Sequence, residues 1–492
     1  LYNHQYFRYM NHSSEHVRQK RFPLVFWVAN VMELFERWAY YGVFAVLSVY
    51  LTDPEANGGL GFSSEQSGTL MGVVTFTIYF LPTLAGAIAD RLGYRKILLI
   101  AFAVLTSGYL LMGQYTSYHG IFLAFLLVGI GAAFFKPVIV GTVSKSTNNS
   151  NRTVGFGIFY MIVNIGAFIG PFVASKLRDI QWQYVFVMSA TIIAINFIPV
   201  IFLYREPGRK TDPSAVPVGK KVKEIFRNFF MVLSDLKFLT FILIMSGFWM
   251  MYMQIFYTMP VYITQWMDTT VIYDSARWIA FAFGKTQDGV GIIRPEMIQN
   301  LGAASIVFFQ VLMSSLVKGV APIRSITVGI LVSALAMSAM SMGMNGWIIV
   351  VAIVIFAFGE MISSPRTQEY VSIIAPPEKV GVYMGFSFLP LAIGSFAGGF
   401  LYGKLYGSLS DIYRFTGNEL TLRGISVEGM EKTDILKAGM FHLQMTSAEL
   451  KQYLFMRYEP YRIWWIFGAI GLVTVLAFLI FNNRVKRSPA KS

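Results

Sequence analysis

The sequence predicts an all-α integral membrane protein, about twelve transmembrane helices in two pseudo-symmetric six-helix halves. Three observations carry that prediction: an apolar composition, a ladder of membrane-length apolar runs, and an internal repeat at one fixed offset. Of 492 residues, 55% are hydrophobic and 13% charged, and the mean hydropathy is +0.56. Water-soluble domains do not sustain that balance.

A helix crosses the hydrocarbon core with about 20 mostly apolar residues. Runs of this kind place spans near 24–51, 64–88, 97–114, 120–144, 153–176, 182–204, 238–264, 299–318, 324–343, 347–370, 380–403 and 461–482. The chain then divides into an N-terminal tail (1–22), a first bundle (23–204), a linker (205–237), a second bundle (238–483) with an extramembrane insert at about 408–458, and a C-terminal tail (484–492). In the linker, VGKKVKEIFRNFFMVLSDL follows Pro207, Pro213 and Pro217 and reads as a basic amphipathic helix on the membrane surface.

The net charge of +14 would point to nucleic acid in a soluble protein. Here the basic residues collect in alternate loops, as positive-inside topology requires, so the expected partner is membrane lipid and not nucleic acid. Arg91, Arg95 and Lys96 fall in the second loop, Lys145 and Arg152 in the fourth, and Arg205, Arg209, Lys210, Lys220, Lys221, Lys223 and Arg227 in the sixth. The first, third and ninth loops carry no Lys or Arg. Both termini are therefore expected in the cytoplasm, in agreement with Arg18, Lys20 and Arg21 at one end and Arg484, Lys486, Arg487 and Lys491 at the other. The polar first 22 residues, with His4, His12 and His16, have no apolar centre and do not read as a cleavable signal peptide.

A shift of 228 residues lays NIGAFIGPFVASKL (164–177) over AIGSFAGGFLYGKL (392–405) with seven identities in fourteen positions. The same shift pairs GAAFFKP (131–137) with GEMISSP (359–365), and Asp90 and Lys96 with Lys318 and Arg324. Spans two to five thus repeat as spans eight to eleven. Two parallel six-helix repeats build the major facilitator architecture, which places a substrate site near mid-membrane between the halves.

An ionisable side chain at the bilayer centre costs about 2.5–3.5 kcal/mol. Glu33, Glu36 and Arg37 stand at i, i+3 and i+4 in the first span, with Tyr40 and Tyr41 continuing the polar row. Facing lipid, the three charges would cost roughly 8–10 kcal/mol together, so they are expected to face the cavity. An internal Glu33–Arg37 pair that merely steadies the helix is the alternative. Lys136, beside Pro137 in span four, and Glu360 in span ten lie within about one turn of equivalent positions and are expected to meet across the cavity as a gate. Arg366 and Glu369 read as solvated interface charges.

No catalytic residues, metal ligands or cofactor are expected. There is no cysteine, no HExxH, and no histidine within a span; His119 and His442 fall in predicted loops. The run from Gly398 to Lys404 is followed by Leu405 instead of Ser or Thr, and it lies within a membrane helix, so it is not a phosphate loop.

The second loop, GAIADRLGYRK (86–96), resembles the signature of the major facilitator superfamily, in which Asp90, Arg91, Arg95 and Lys96 would tie cytoplasmic helix ends together. ELFERWAYYG resembles the first-helix ExxER motif of the proton-dependent oligopeptide transporters. YFLPTLAGAIADR from Tyr79, FFKP around Lys136, FYMIVNIG from Phe159 and GEMISSP from Gly359 are also similar to motifs of that family. The resemblance implies a proton-coupled symporter importing di- and tripeptides by alternating access, a multi-pass and monomeric protein of the plasma (inner) membrane, with protons as coupling ion. Glu33, Glu36, Arg37, Lys136 and Glu360 would couple proton movement to transport. Arg37 and Lys136 would attract the peptide carboxylate, Glu360 and Asn164 would hold its amino end, and Tyr40, Tyr41, Tyr79 and Tyr160 would line the pocket. The chain departs from the family pattern at Met253, where a seventh-helix glutamate is usual. It also has Gly302–Ala303 for an Asn-Pro pair, Ser387 for a tryptophan, and Val138 for an asparagine. Met253 implies an altered periplasmic gate. A divergent relative carrying another small polar or amphipathic solute, and a non-transporting membrane sensor, are the alternatives.

Overall fold

The computed structural model describes residues 21–148, 151–207, 218–278, 283–287 and 289–487. His4, His12, His16, Arg18, Lys20, Arg209, Lys210, Pro213, Pro217 and Lys491, on which expectations rested, lie outside the described residues. Among the described residues, eleven helical stretches are long and apolar enough to cross a membrane. A twelfth, Leu24–Thr52, has the length, and it falls short in hydropathy because it carries Glu33, Glu36 and Arg37.

The helices begin and end where local chemistry dictates. The first span stops at Asp53, which is held extended before Pro54. The second opens with a capping box, in which Ser63 Oγ accepts from Gln66 N at 3.1 Å and Gln66 Oε1 accepts from Ser63 N at 3.0 Å. It is divided by Pro82 into Ser64–Phe80 and Pro82–Leu92. The third to sixth spans are Tyr94–Met112, Tyr118–Lys145, Arg152–Arg178, and Trp182–Ile195 continued by Phe197–Phe202. The surface helix Val218–Ser234 then leads to a seventh span in three pieces, Leu236–Tyr252, Gln254–Tyr257 and Met259–Trp266. The remaining spans are Pro295–Leu316, Pro322–Ala339, Gly346–Ile374, Leu389–Leu409 and Arg462–Arg487. Inside span ten, Pro365 cannot donate to the Met361 carbonyl, and Gln310 Nε2 reaches that oxygen at 3.4 Å instead.

The repeat is visible in the packing. A Cβ on Gly166 would lie 2.8 Å from the Leu34 carbonyl oxygen and 3.1 Å from Trp38 N, so only glycine lets spans five and one approach this closely. Its counterpart Gly394 would meet the Ser246 carbonyl oxygen at 2.6 Å and Met250 N at 2.9 Å, the same close approach between spans eleven and seven.

The insert at about 408–458 was expected, but a hairpin before the eighth span and the insert's internal structure were not. A short antiparallel hairpin, Gly284–Gln287 with Val290–Ile293, precedes the eighth span. The insert is not featureless: it forms three helices, Ile412–Thr421, Lys432–Leu443 and Ser447–Tyr458. Buried Glu419 knits it together, accepting from Tyr453 Oη at 3.1 Å, Tyr458 Oη at 2.9 Å and Arg423 Nη1 at 2.8 Å, with Arg457 paired alongside. His119 and His442 fall within helices rather than loops. The hairpin, the insert and the first loop share one face of the bundle, called here the insert face; the linker helix lies on the other.

Candidate functional site

The first-span charges are buried together. Glu33, Glu36 and Arg37 are 2%, 0% and 5% exposed. Arg37 Nε stands 3.4 Å from Glu33 Oε1, and the guanidinium contacts the Glu36 carboxylate more closely still. It also lies over the rings of Tyr40 and Tyr41, 5.2 and 5.8 Å from their centroids. One cation serving two carboxylates leaves Glu33 Oε2 and Glu36 Oε1 without a hydrogen-bond partner. Removing Arg37 would leave two uncompensated buried charges, so the cluster stands as a unit.

Lys136 points from span four toward the second half, its ammonium 5.0 Å from the Tyr79 ring centroid and 5.7 Å from that of Phe388. The expected Lys136–Glu360 contact is not formed: among the described residues no ion pair joins them. The one-turn offset between their registers carries Glu360 along span ten to the wall of a separate cavity, while the aromatic rings hold the ammonium.

That cavity, of about 230 Å³, lies between the halves. Tyr41, Tyr160 and Asn164 line it from the first half, and Tyr252, Gln299, Asn300 and Glu360 from the second. Asn164 Nδ2 donates to the Tyr160 carbonyl at 2.8 Å. Four residues expected at the pocket do not line it: Arg37 and Lys136, drawn off the wall by the first-span carboxylates and by the Tyr79 and Phe388 rings, and Tyr40 and Tyr79. Tyr40 is 3% exposed and stacks on Phe44 in the core, because the helical turn that aims Tyr41 at the cavity aims Tyr40 away from it. Tyr79 lines a smaller pocket on the linker side with Phe80, Thr83, Phe229 and Phe386. Tyr252, Gln299 and Asn300 were missed. Gln299 and Asn300 follow Glu296 at i+3 and i+4, a polar row at the head of an otherwise apolar helix that was readable in the sequence.

The halves are joined chiefly toward the insert face. Arg178 Nη1 lies 3.3 Å from Glu296 Oε2, both side chains buried, and Asp179 pairs with Arg294 and, at 3.4 Å, with Lys285. Asn300 Nδ2 donates to the Phe168 carbonyl at 2.8 Å. Lys432 Nζ in the insert donates to the carbonyls of Thr52 and Phe62, each at 2.9 Å. Toward the linker face, Thr83 Oγ1 donates to the Gly385 carbonyl at 3.5 Å, and Phe229 wedges between Phe80 and Phe386.

On the linker face itself, the second loop is tied to its neighbours through Tyr94. Its hydroxyl donates to Asp90 Oδ1 at 3.0 Å and accepts from Lys145 Nζ at 3.0 Å, while Arg95 donates to the Ile201 carbonyl at 2.6 Å. Asp90, Arg91, Arg95 and Lys96 are exposed there, remote from the cavity. Arg366 is more enclosed than a solvated interface charge: its side chain is 13% exposed, pairs with Glu369 at 2.6 Å and donates to the Val317 carbonyl, since the end of span eight packs over it.

The family model described as "Major Facilitator Superfamily" matches residues 26–399. The chain belongs to this superfamily. Superfamily membership accounts for the paired six-helix halves and the cavity between them. Multidrug resistance protein MdtH of Salmonella arizonae is 23% identical over 375 residues, 73% of this chain and 80% of that protein. A di-/tripeptide transporter of Lactococcus lactis subsp. cremoris is 28% identical over 234 residues, 45% of this chain and 44% of that one. Among solved structures, a POT family transporter in complex with 5-aminolevulinic acid superposes with a TM-score of 0.71 at 18% identity, covering 95% of this chain and 99% of that one. A POT family transporter in complex with a thioalcohol-conjugated peptide gives 0.71 at 18% identity, covering 94% and 96%. The fold of this superfamily member is therefore that of the POT transporters, and its architecture is that of a multi-pass membrane transporter.

Proposed function

We propose that this protein is a proton-coupled symporter that imports di- and tripeptides by alternating access, a monomer of the plasma (inner) membrane with both termini cytoplasmic. The observation that carries the reading is the separation of charge between the halves: Glu360 lines the cavity from the second half, and the Glu33–Glu36–Arg37 cluster, with Lys136, lies off its wall in the first half, Arg37 stacked on the cavity-lining Tyr41. A zwitterionic peptide presents the complementary dipole. Its ammonium end is held by Glu360 and Asn164, and its carboxylate is drawn toward Arg37 and Lys136.

Coupling follows from the shared cation. A proton on Glu33 or Glu36 removes one of the two claims on Arg37, and the guanidinium then turns to the peptide carboxylate. Loss of that proton toward the cytoplasm restores the internal pair and releases the cargo. The proton is the coupling ion in this scheme.

A second reading, export of an amphipathic solute, is favoured by the longer alignment with MdtH and by the aromatic cavity wall, to which Phe256 and Phe356 also contribute. Uptake of labelled dialanine into proteoliposomes, driven by an inward proton gradient, separates the two. Peptide symport predicts accumulation that unlabelled trialanine abolishes and tetraphenylphosphonium leaves intact. Competition by the lipophilic cation alone contradicts it.

A further inference from the structure

The helix Val218–Ser234 between the halves presents three faces, each with a different chemistry. At about 100° per residue, Ile225, Phe229 and Val232 fall on one side, and that side meets the protein. Val232 is buried, and the Phe229 ring lies 6.2 Å from the Phe80 ring in the first half and 5.7 Å from the Phe386 ring in the second. Further round the helix, Phe226 and Phe230 are 46% and 64% exposed. Lys220, Lys223 and Arg227 form a third row at i, i+3 and i+7, all exposed. Glu224 is the only acid in the helix. It stands 3.9 Å from Arg227 with both side chains more than half exposed, a pair that contributes little in water.

Exposed aromatic rings beside a row of bases suit a helix lying in an anionic bilayer surface, with the rings among acyl chains and the bases at the headgroups. The apolar exposure continues into Leu236 at the head of span seven, 75% exposed, where the bilayer begins, so the occupant of this face is lipid and not a soluble acidic partner. The same helix closes the linker face. There Thr83 Oγ1 reaches the Gly385 carbonyl only at 3.5 Å, the outer limit of a hydrogen bond, and the closure leans on Phe229. We propose that anionic phospholipid, held by Lys220, Lys223 and Arg227, seats this helix and its Phe229 wedge, so that the lipid charge sets how readily the linker face opens. The proposal holds whichever solute is carried.

The chain has no cysteine, so Leu84→Cys, at the linker-side pocket that Phe229 also lines, reports opening of this face to an uncharged polyethylene glycol maleimide. Labelling of the purified full chain is compared in nanodiscs of phosphatidylcholine alone and of phosphatidylcholine with phosphatidylglycerol. The anionic lipid is expected to slow labelling about 10-fold, since each base near such a surface contributes roughly a factor of five, and high salt to cancel most of that effect. With Lys220→Gln, Lys223→Gln and Arg227→Gln combined, labelling in both lipids is expected at the wild-type phosphatidylcholine rate; these side chains are exposed, and their loss leaves the fold in place. Phe229→Ala is expected to label quickly in both lipids. Equal wild-type rates in the two lipids, or a triple variant that keeps the lipid response, overturns the lipid site. A lipid response that survives Phe229→Ala overturns the wedge.

Discussion

Arg178 at the end of span five and Glu296 at the start of span eight meet 3.3 Å apart across the two halves, with side chains 5% and 0% exposed. The second-half acid at the insert face thus comes from the start of span eight. Removing one partner of a buried pair strands the other, at about 3–5 kcal/mol. Arg178→Met and Glu296→Gln are each expected to open the insert face. The chain has no cysteine, so a single cysteine at Ala303 in the cavity reports opening through an impermeant maleimide. Labelling quickens in each single variant and slows again when the charges are exchanged in Arg178→Glu with Glu296→Arg.

The insert fastens the same face from outside. Lys432 bridges two carbonyls of the first half, Thr52 and Phe62, and a hydrogen bond from a charged donor contributes about 1.5–3 kcal/mol. Lys432→Met is expected to raise amide hydrogen exchange in 412–458 and in the first loop by roughly 10-fold or more, since each 1.4 kcal/mol is a factor of ten. Exchange in span four stays as it was.

Asp53, at the end of the first span, makes this closure pH-sensitive. Burial lifts its carboxyl from the ordinary 3.8 to about 6, against the opposing pull of Arg178, Lys432 and Arg294, while Glu296 adds to the rise. A raised acid is neutral and harmless while buried at low pH, and it opposes burial once charged. The closed insert face therefore loses stability as pH rises from about 4 to about 6. Melting temperature over that window falls with pH in wild type, and Asp53→Asn flattens the dependence.

Glycines set how tightly the halves close. A Cβ on Gly68 would lie 2.3 Å from the Gly399 carbonyl oxygen, where spans two and eleven touch. Gly68→Leu is expected to fold, because each bundle keeps its own core, and to hold the insert face apart. Transport falls by at least about 10-fold while detergent-solubilised protein remains monodisperse.

Much of this was legible in the sequence, for physical reasons. Lipid demands helices with their backbone groups satisfied internally, so apolar runs located the spans, and Gly166 and Gly394 betrayed the repeat because both mediate the same helix contact. Burial of Glu33, Glu36 and Arg37 followed from the cost of charge in lipid. Side-chain direction did not follow: Lys136 and Glu360 lie one turn apart in register and do not meet, and Tyr40 and Tyr41, neighbours in sequence, part to core and site. Glu296 was missed because the eighth span was started at residue 299, which left it outside; Gln299 and Asn300 then stood uncharged at the span's edge, with no polar row to single them out. The hairpin and insert depend on long-range contacts such as Lys432 to Thr52 that no local pattern encodes.

The most direct test of the coupling scheme is the internal pH of liposomes holding the purified protein under an inside-negative potential. On addition of dialanine or trialanine, internal pH is predicted to fall with wild type and to stay constant with Glu36→Gln, which cannot take up the proton. A folded wild-type protein that leaves internal pH unchanged with every peptide, or a Glu36→Gln variant that acidifies the lumen as fast as wild type, contradicts the account.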